Sequence, residues 1–449
     1  MTRLSPSALP APTPPSTAYA GHVAAQIARR RGEQAAALPP EQGASEADQA
    51  TLAALTEELG SELVALAHQL HAHPEVGFAE HQSVAAVAEL LARHGHTATV
   101  GLGSLDTALR VEFGPATAPA LGICCEYDAL PGIGHACGHN VMAATAVGAF
   151  LALAQLERTR PGSVPARIVL LGTPAEEGGT GKETMIRQGD FNDLACAVMT
   201  HAYGYDLADQ LWLGCRRLTV TFTGVAAHAS SQPHMGRNAM DAAALFYQGV
   251  GLLRQHMAPG DRLHAVVTEG GQRASIIPEE AVVKMYVRSQ EADTLRDLCE
   301  RVDDCAAGAA LMTGCGVQVR WDPRPPVLPV RTNETMTAAW VRAQQRRGRR
   351  PLPRGVVPET LAASTDFGNV SQLMPAIHPL LKIAPEEVAL HTRAMAEAAA
   401  SPAADAACVD GAYGLAAVLL DLAADRQLLA AAQAEFAAVG GPISTTDLF

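Results

Sequence analysis

Cys137 and His139 are the first residues in the chain whose types and spacing could do chemistry. They lie two residues apart on a loop that follows Asp128, between the apolar run Ala120–Cys125 and a helical pattern that starts at Asn140. A thiolate and an imidazole are ligands that transition metals prefer. One Cys-x-His pair does not make a metal site by itself, so this interpretation requires further ligands elsewhere in the chain.

Two later apolar runs also end in groups that can bind a metal. The run 166–172 precedes Glu176 and Glu177, and the run 195–200 precedes His201. Ligands gather at the carboxyl ends of parallel strands, so we expect these side chains to meet the Cys-x-His pair. Successive side chains leaving a strand point in different directions, so one glutamate can bind metal while the other faces the substrate. The alternative is an acidic helix N-terminus, which complements the helix dipole.

The predicted ligand set favours two divalent transition-metal ions. About five ligands from Cys, His and Glu suit a pair of Zn²⁺, Mn²⁺, Co²⁺ or Ni²⁺ ions better than Ca²⁺ or Mg²⁺. Such ions activate a water molecule and polarise the substrate carbonyl. A free carboxylate nearby can then pass a proton from the water to the leaving nitrogen.

Two polar residues in the later part of the chain are further candidates. His228 lies on a loop rich in Gly, Ala and Ser, and it could donate to a developing oxyanion. Arg288, at the end of a predicted strand, could bind a substrate carboxylate through two hydrogen bonds. The alternative for each residue is an ordinary position on the protein surface.

The elements that must position these residues form two patterns. Strands that alternate with helices predict an α/β fold with a parallel sheet covered by helices on both faces. A later segment has half-buried strands in the order βαββαβ, which is the ferredoxin-like arrangement. We therefore predict a disordered tail with one short helix at 1–47, a catalytic domain formed by 48–214 and 328–449, and an inserted domain at 215–327.

Composition restricts the classes of function. The formal net charge of −13 gives no electrostatic support to nucleic-acid binding. The sequence has no uninterrupted apolar run of the ~18–20 residues that a membrane span requires, so no membrane association is expected. Nine cysteines without framework spacing predict a reducing, cytoplasmic location.

Several motifs in a fixed order resemble the M20 family of metallopeptidases and amidohydrolases over about residues 48–425. They are HAHPEVGFAE, EYDALPGIGHACGHN, PAEEGG, GVAAHAS and LHT, with His201 between the third and fourth. The second motif is most similar to the amidohydrolase branch that holds the p-aminobenzoyl-glutamate hydrolases and related dipeptidases.

The resemblance implies a zinc-peptidase-like catalytic domain with a mixed, largely parallel sheet and a two-metal site. It also implies an inserted ferredoxin-like domain that forms a homodimer. Asp128 would orient the site, Glu176 would be the general base, and His228 would reach the neighbouring subunit's active site. The residues that match the family's metal ligands are Cys137, His139, Glu177, His201 and His391.

Two positions depart from the family's common pattern. Asn140 stands where many members have Asp, and Ser275 stands where Asn often precedes Ile-Ile-Pro. Together with Arg288, these residues are our candidates for substrate binding, and the departures leave the substrate preference open.

The function predicted from the sequence is metal-dependent hydrolysis of the amide bond in an N-acyl amino acid or an unusual dipeptide. One alternative is an aminoacylase for aromatic or xenobiotic acyl groups of the aminobenzoyl-glutamate type, against which the aromatic content of only 4% argues. Another is a metal-binding regulatory protein without turnover. Glu176 beside Glu177 argues against that alternative, because a purely structural metal site has no use for a free base.

Overall fold

The computed structural model describes residues 16–359 and 363–449. In chain order the strands are β1 (Thr99–Leu102), β2 (Leu105–Phe113), β3 (Ala120–Cys125), β4 (Arg167–Gly172), β5 (Leu194–Val198), β6 (His201–Tyr203), β7 (Gly214–Thr223), β8 (Arg262–Glu269), β9 (Glu280–Ser289), β10 (Gly316–Trp321), β11 (Ala376–Ile377) and β12 (Leu380–Lys382). The helices are α1 (Ala18–Arg30), α2 (Glu46–Ala72), α3 (His81–Arg93), α4 (His139–Thr159), α5 (Glu176–Gly179), α6 (Gly181–Gln188), α7 (Ala239–Leu253), α8 (Ala292–Thr313), α9 (Glu334–Arg346), α10 (Phe367–Ser371), α11 (Arg393–Ala398), α12 (Pro402–Ala424), α13 (Arg426–Ala438) and α14 (Thr445–Leu448).

The central sheet is mixed and largely parallel, as predicted. Its strand order is β1-β2-β4-β3-β5-β11. Strands β4, β3, β5 and β11 run parallel to one another, whereas β2 pairs antiparallel with β4 and β1 antiparallel with β2. All six residues of β3 are buried, because helices cover both faces of the sheet. The carboxyl ends of β3, β4 and β5 therefore lie side by side at one edge.

Two long apolar helices, α4 and α12, form the centre of the main core together with α2. Within the described residues these two are long and apolar enough to cross a membrane, and both are mostly buried inside the fold. Because the rest of the fold surrounds them, α4 and α12 have the environment of core helices. The leucine repeat of α2 packs against them, and Ser45 caps that helix by accepting a hydrogen bond from the backbone N–H of Asp48.

A second, antiparallel sheet has the order β10-β7-β9-β8. Helices α7 and α8 pack on it and enclose a separate hydrophobic core that includes Phe222, Phe246 and Val283. The element order β7-α7-β8-β9-α8-β10 matches the predicted βαββαβ pattern. The exact boundaries of this insertion and its role in dimerisation stay predictions.

The two chain ends pack on the rest of the fold. The short helix expected in the N-terminal tail is α1, which packs on the fold, and Leu38 and Ala44 are buried; residues 1–15 lie outside the described residues, and the disorder of the tail stays a prediction. At the other end, α13 has no counterpart in the sequence interpretation. The ring of Phe449 lies 4.0 Å from the guanidinium carbon of Arg216, so the last residue contacts the antiparallel sheet.

Candidate metal centre

The predicted site residues meet in a cleft at the carboxyl ends of β3, β4 and β5. The cleft has a volume of about 540 Å³ and extends to the antiparallel sheet. The predicted ligands and base that line it are Cys137, Glu176, Glu177, His201 and His391. His139 lies directly behind them and is fully buried.

A tight turn places Cys137 and His139 side by side. Gly138 between them has φ of +77°, and a Cβ atom on it would lie 2.5 Å from Cβ of Ala202. Only glycine fits this left-handed and crowded position without strain. The turn opens α4, so both ligands are carried by the start of a core helix.

Hydrogen bonds fix the orientation of two histidines. Nδ1 of His139 donates to the backbone carbonyl of Asp128 at 2.9 Å and lies 3.0 Å from its Oδ1, and Nδ1 of His201 donates to the carbonyl of Ala202 at 2.7 Å. In both rings Nε2 is left as the possible ligand atom. A metal-binding histidine commonly donates its other ring N–H in this way.

Among the described residues, two of the four groups of possible ligand atoms share Cys137. One group contains Cys137, His139 and His201, and the other contains Cys137, Glu177 and His391; within each group all ligand atoms lie within 4.8 Å of one another. Nε2 of His391 lies 3.1 Å from the Cys137 sulfur and 3.4 Å from the Glu177 carboxylate. Cys137 and the four residues grouped with it could therefore hold two divalent ions near each other.

Buried atoms without partners support metal binding. Nε2 of His139 is buried and has no hydrogen-bond partner among the described residues, and the buried Oε1 of Glu177 lies at ion-pair distance, 3.4 Å, from Nε2 of His391. An unpaired buried polar atom costs about 1–3 kcal/mol, so a ligand on Nε2 of His139 would relieve that cost. Sulfur, imidazole and carboxylate ligands together fit divalent transition-metal ions.

Three residues in or beside the candidate site have uncommon backbone conformations. Ala175, Thr180 and His391 have positive φ values of 57°, 57° and 61°. The N–H of Ala175 donates to the buried Glu80 carboxylate at 2.8 Å, and this bond helps to hold the turn. Residues in such conformations cluster at functional sites, where the surrounding structure holds them.

The two adjacent glutamates have opposite pKa shifts. Burial raises the pKa of Glu176 well above its usual value, and the negative charges of Glu126 and Glu177 raise it further. Burial would also raise the pKa of Glu177, but the hydrogen bond with His391 and the charge of His139 lower it to about 2. Glu177 is therefore ionised as a ligand must be, whereas Glu176 holds its proton more tightly.

A buried charge cluster behind the cleft was missed in the sequence. The ammonium of Lys182 donates to Glu126 and, at 2.7 Å, to Asp366, and all three side chains are fully buried. Glu126 in turn lies 3.4 Å from Nε2 of His139. The carboxylates of Glu126, Glu176 and Asp366 also lie close enough together for a metal ion, but Lys182 already supplies the positive charge there.

Besides Asp128 and His139, which are buried behind the cleft, three predicted residues do not line it. Asn140 is fully buried, and its amide donates to the carbonyls of Ala67 and Ala399, so it holds helices together instead of facing a substrate. His228 and Ser275 are exposed on the insertion, where the N–H of Ala229 donates to the carbonyl of Ser275. Neither of these two lines the cleft of its own chain.

Arg288 lines the cleft together with two other arginines, whose presence there was not predicted from the sequence. Arg217 and Arg262 lie beside it on neighbouring strands, since Arg262 pairs with Arg288 and Arg217 pairs with Tyr286 across the sheet. The Arg288 and Arg217 guanidinium carbons lie 4.9 and 5.5 Å from the centre of the Tyr286 ring. Nη1 of Arg217 is buried without a hydrogen-bond partner. We call Arg217, Arg262 and Arg288 the arginine wall.

Comparison with known proteins agrees with this site. The family model of Peptidase family M20/M25/M40 matches residues 124–408. The chain is 35% identical over 404 residues to a Xaa-Arg dipeptidase of Homo sapiens, covering 85% of this chain and 90% of the relative. It is 33% identical over 290 residues to one of the p-aminobenzoyl-glutamate hydrolase polypeptides of Escherichia coli, covering 60% of each chain.

A solved structure shares the fold. The chain superposes on a dinuclear metal-binding M20 peptidase of Bacillus subtilis with a TM-score of 0.62 at 18% identity, covering 81% of this chain and 99% of the other. The match to the family spans the turn, the glutamate pair and the histidines described above. The chain therefore belongs to peptidase family M20/M25/M40 and is a metal-dependent hydrolase of amide bonds.

Proposed function

We propose that the chain hydrolyses the amide bond of an N-acyl amino acid or an unusual dipeptide, with Glu176 as the general base. The observation that carries this proposal is a free carboxylate beside a complete ligand set. Glu176 lines the cleft with its Oε2 4.0 Å from Nε2 of His139, and it is not part of the two possible ligand groups that contain Cys137, to one of which its neighbour Glu177 belongs. Glu176 also lies within reach of a metal held by His139 and Glu177, so we assign it the role of base on the ground that the two Cys137 groups already supply five ligands. A regulatory metal site would not need this second carboxylate.

The ligands in this proposal are Cys137, His139, Glu177, His201 and His391. Divalent ions held by them supply polarisation of the amide carbonyl and activation of water. Glu176 takes a proton from the attacking water and delivers it to the leaving nitrogen. Because burial already raises the pKa of Glu176, it can hold that proton between the two transfers.

The arginine wall supports a substrate with a carboxylate on the leaving side. Arg217 and Arg288 stack on Tyr286, and Arg262 donates to the backbone carbonyls of Pro259 and Asp261. Within the described part of the chain, none of the three arginines forms an ion pair with a carboxylate. Guanidinium groups bind carboxylates through two parallel hydrogen bonds, so the wall is suited to the free carboxylate of an amino acid.

The proposal also includes the kind of metal ion, a homodimeric assembly and a cytoplasmic location. Thiolate and imidazole ligands favour Zn²⁺, Mn²⁺, Co²⁺ or Ni²⁺ over Mg²⁺ or Ca²⁺. A homodimer formed through the insertion would bring His228 to the cleft of the partner chain. Nine free cysteines support a reducing cytoplasm.

The test combines metal analysis with one substitution. Purified protein should bind about two transition-metal ions per chain, and removal of the ions by a chelator should abolish hydrolysis of a panel of N-acyl amino acids and dipeptides. The variant Glu176→Gln should keep the metal and lose about 10²–10⁴-fold in kcat. Wild-type turnover by Glu176→Gln would exclude Glu176 as the base, and a metal-loaded protein without hydrolysis of any amide would reject the proposal.

A further inference from the structure

A second cavity, of about 750 Å³, adjoins the cleft beneath the N-terminal helix. Helix α1 forms one side, and the aromatic side chains of Tyr203, Tyr205 and Trp212 form part of the other. Trp212, Ala363 and Leu390 line this cavity and also the cleft. The two volumes therefore border each other at these three residues.

The shared residues lie next to proposed metal ligands. Leu390 directly precedes His391 in the chain, and the Trp212 ring centre lies 5.2 Å from that of His201. A group attached to the carbonyl of an amide held at the proposed ligands would therefore lie beside the residues that border the cavity. The arginine wall belongs to the antiparallel sheet and does not line the cavity.

Helix α1 is held over the cavity by specific contacts. Ile27 is only 5% exposed and packs in a cluster that includes Trp212 and Leu380. At the end of the helix, Arg30 donates to the carbonyl of Gly355 and Arg31 pairs with Glu386. These contacts make the helix part of the cavity and not a loose extension.

The lining is mostly apolar and aromatic, and α1 contributes Val23, Ala24 and Ile27 to it. Its polar residues include Arg31 and Glu386, which form an ion pair, and Gln210 and Glu387. The volume is within the range of about 300–1,000 Å³ that is typical of small-molecule sites. Low overall aromatic content is no argument against an aromatic ligand here, because Tyr19, Tyr203, Tyr205 and Trp212 all line this one cavity.

We propose that this cavity binds the acyl part of the substrate and that α1 makes the enzyme selective for bulky apolar acyl groups, including aromatic ones. The inference rests on the proposed function, and it adds a specificity element that lies outside residues 124–408, the part matched by the family. The amide is held at the ligands, the acyl group enters the cavity under α1, and the amino acid faces the arginine wall.

Two substitutions on one helix test this inference. Ala24 and Ala25 are both exposed, but only Ala24 lines the cavity, so Ala24→Trp places an indole at the cavity and Ala25→Trp is the matched control. The readout is the ratio of kcat/KM for the N-benzoyl and N-acetyl derivatives of one amino acid. We expect Ala24→Trp to lower this ratio about tenfold or more and Ala25→Trp to leave it unchanged. An unchanged ratio in Ala24→Trp overturns the inference.

A binding measurement separates this inference from the proposed function. Calorimetry with 4-phenylbutyrate on the metal-loaded full chain should show tighter binding than acetate. Ala24→Trp should weaken phenylbutyrate binding about tenfold, and Ala25→Trp should not. Equal binding by wild type and Ala24→Trp, or no preference over acetate, overturns the inference even if hydrolysis is observed. Absence of hydrolysis with the expected binding pattern rejects only the proposed function.

Discussion

Oδ1 of Asp128 lies 3.0 Å from Nδ1 of His139, and both side chains are fully buried. The other carboxylate oxygen of Asp128 accepts the backbone N–H of Glu177 at 2.9 Å. One carboxylate therefore orients the ring of one proposed ligand and fixes the backbone of another. We therefore propose that Asp128 positions the proposed ligands and does not bind metal itself.

We expect Asp128→Asn to weaken metal binding about 10–100-fold, because partners of ligands contribute this much to metal affinity. The amide no longer provides a charged acceptor for the His139 N–H. Competition titration with a chromophoric chelator measures the effect. Asp190→Asn is the control, since Asp190 is partly buried and lies outside the cleft. Equal metal affinity in the two variants would contradict this role.

Lys182 should be required for stability, since it is the cation between two buried carboxylates. Burial alone would lower the pKa of Lys182, but the charges of Asp366 and Glu126 raise it, so the ammonium stays charged. Removing one partner of a buried ion pair costs about 3–5 kcal/mol. We expect Lys182→Met to lose that much free energy of unfolding in denaturant titrations.

Lys382→Met is the matched control for this loss. Lys382 pairs with Glu386 at 3.5 Å near the surface, and its side chain is 42% exposed. Exposed ion pairs contribute about 0–1 kcal/mol, so this variant should unfold almost as wild type does. If Lys182→Met were as stable as Lys382→Met, the buried cluster would not hold the cleft together.

Local patterns in the sequence were enough to predict the strands, the helices and the position of the candidate metal site. The turn with Cys137 and His139, the glutamate pair and His201 all follow strand ends, which meet at one edge of a parallel sheet. The order βαββαβ of the insertion likewise follows from the period of apolar residues along each element.

Other features could not be predicted because they depend on contacts between distant parts of the chain. Lys182 is 56 residues from Glu126 and 184 from Asp366, so no spacing in the sequence indicates their cluster. A departure from the family pattern at Asn140 suggested a role in substrate binding. In the fold that side chain is enclosed between helices, which only the tertiary structure could show.

Metal binding should release a proton from Cys137. Burial raises the pKa of this thiol well above its usual value, so the metal-free protein carries the thiol form at neutral pH. A thiolate is required for binding, so protons compete with metal and the affinity rises with pH. We expect about one proton released per chain from this residue, measured by calorimetry in buffers of different ionisation enthalpy.

A cysteine outside the site provides the comparison for this measurement. Cys137→Ala should lose the proton release that the thiol contributes and should bind metal more weakly. Cys196 on β5 is also fully buried, but it does not belong to a ligand group, so Cys196→Ala should behave as wild type. The same proton release in wild type and Cys137→Ala would show that the thiol is not a ligand.

Arg288 should contribute to the binding of a negatively charged substrate and not to the chemical step. A hydrogen bond to a charged group contributes about 1.5–3 kcal/mol, so Arg288→Ala should raise KM roughly tenfold or more for a substrate with a free carboxylate. The corresponding uncharged amide should show no such change, and kcat should be nearly unaffected. Arg320→Ala, an exposed arginine on β10, is the control. An equal effect on both substrates would exclude carboxylate binding by Arg288.

His228 should complete the active site of the partner chain. Its Nδ1 accepts the backbone N–H groups of Ser230 and Ser231 at 3.3 and 3.2 Å, so Nε2 carries the proton and can donate to an oxyanion. Yet His228 is exposed and does not line the cleft of its own chain. The His228 ring is held in a defined orientation, but it lies away from the cleft of its own chain. This arrangement is consistent with His228 acting in the cleft of a partner chain.

Mixing two inactive variants tests action across the dimer directly. Glu176→Gln and His228→Ala should each be inactive alone while keeping the metal. After exchange of chains, a mixed dimer has one site with both an intact Glu176 and an intact His228 from the other chain, so activity should return to about a quarter of wild type. His234→Ala, an exposed histidine near the same loop, should be active alone. No recovery on mixing would mean that His228 acts within its own chain or that the two chains do not form the proposed dimer.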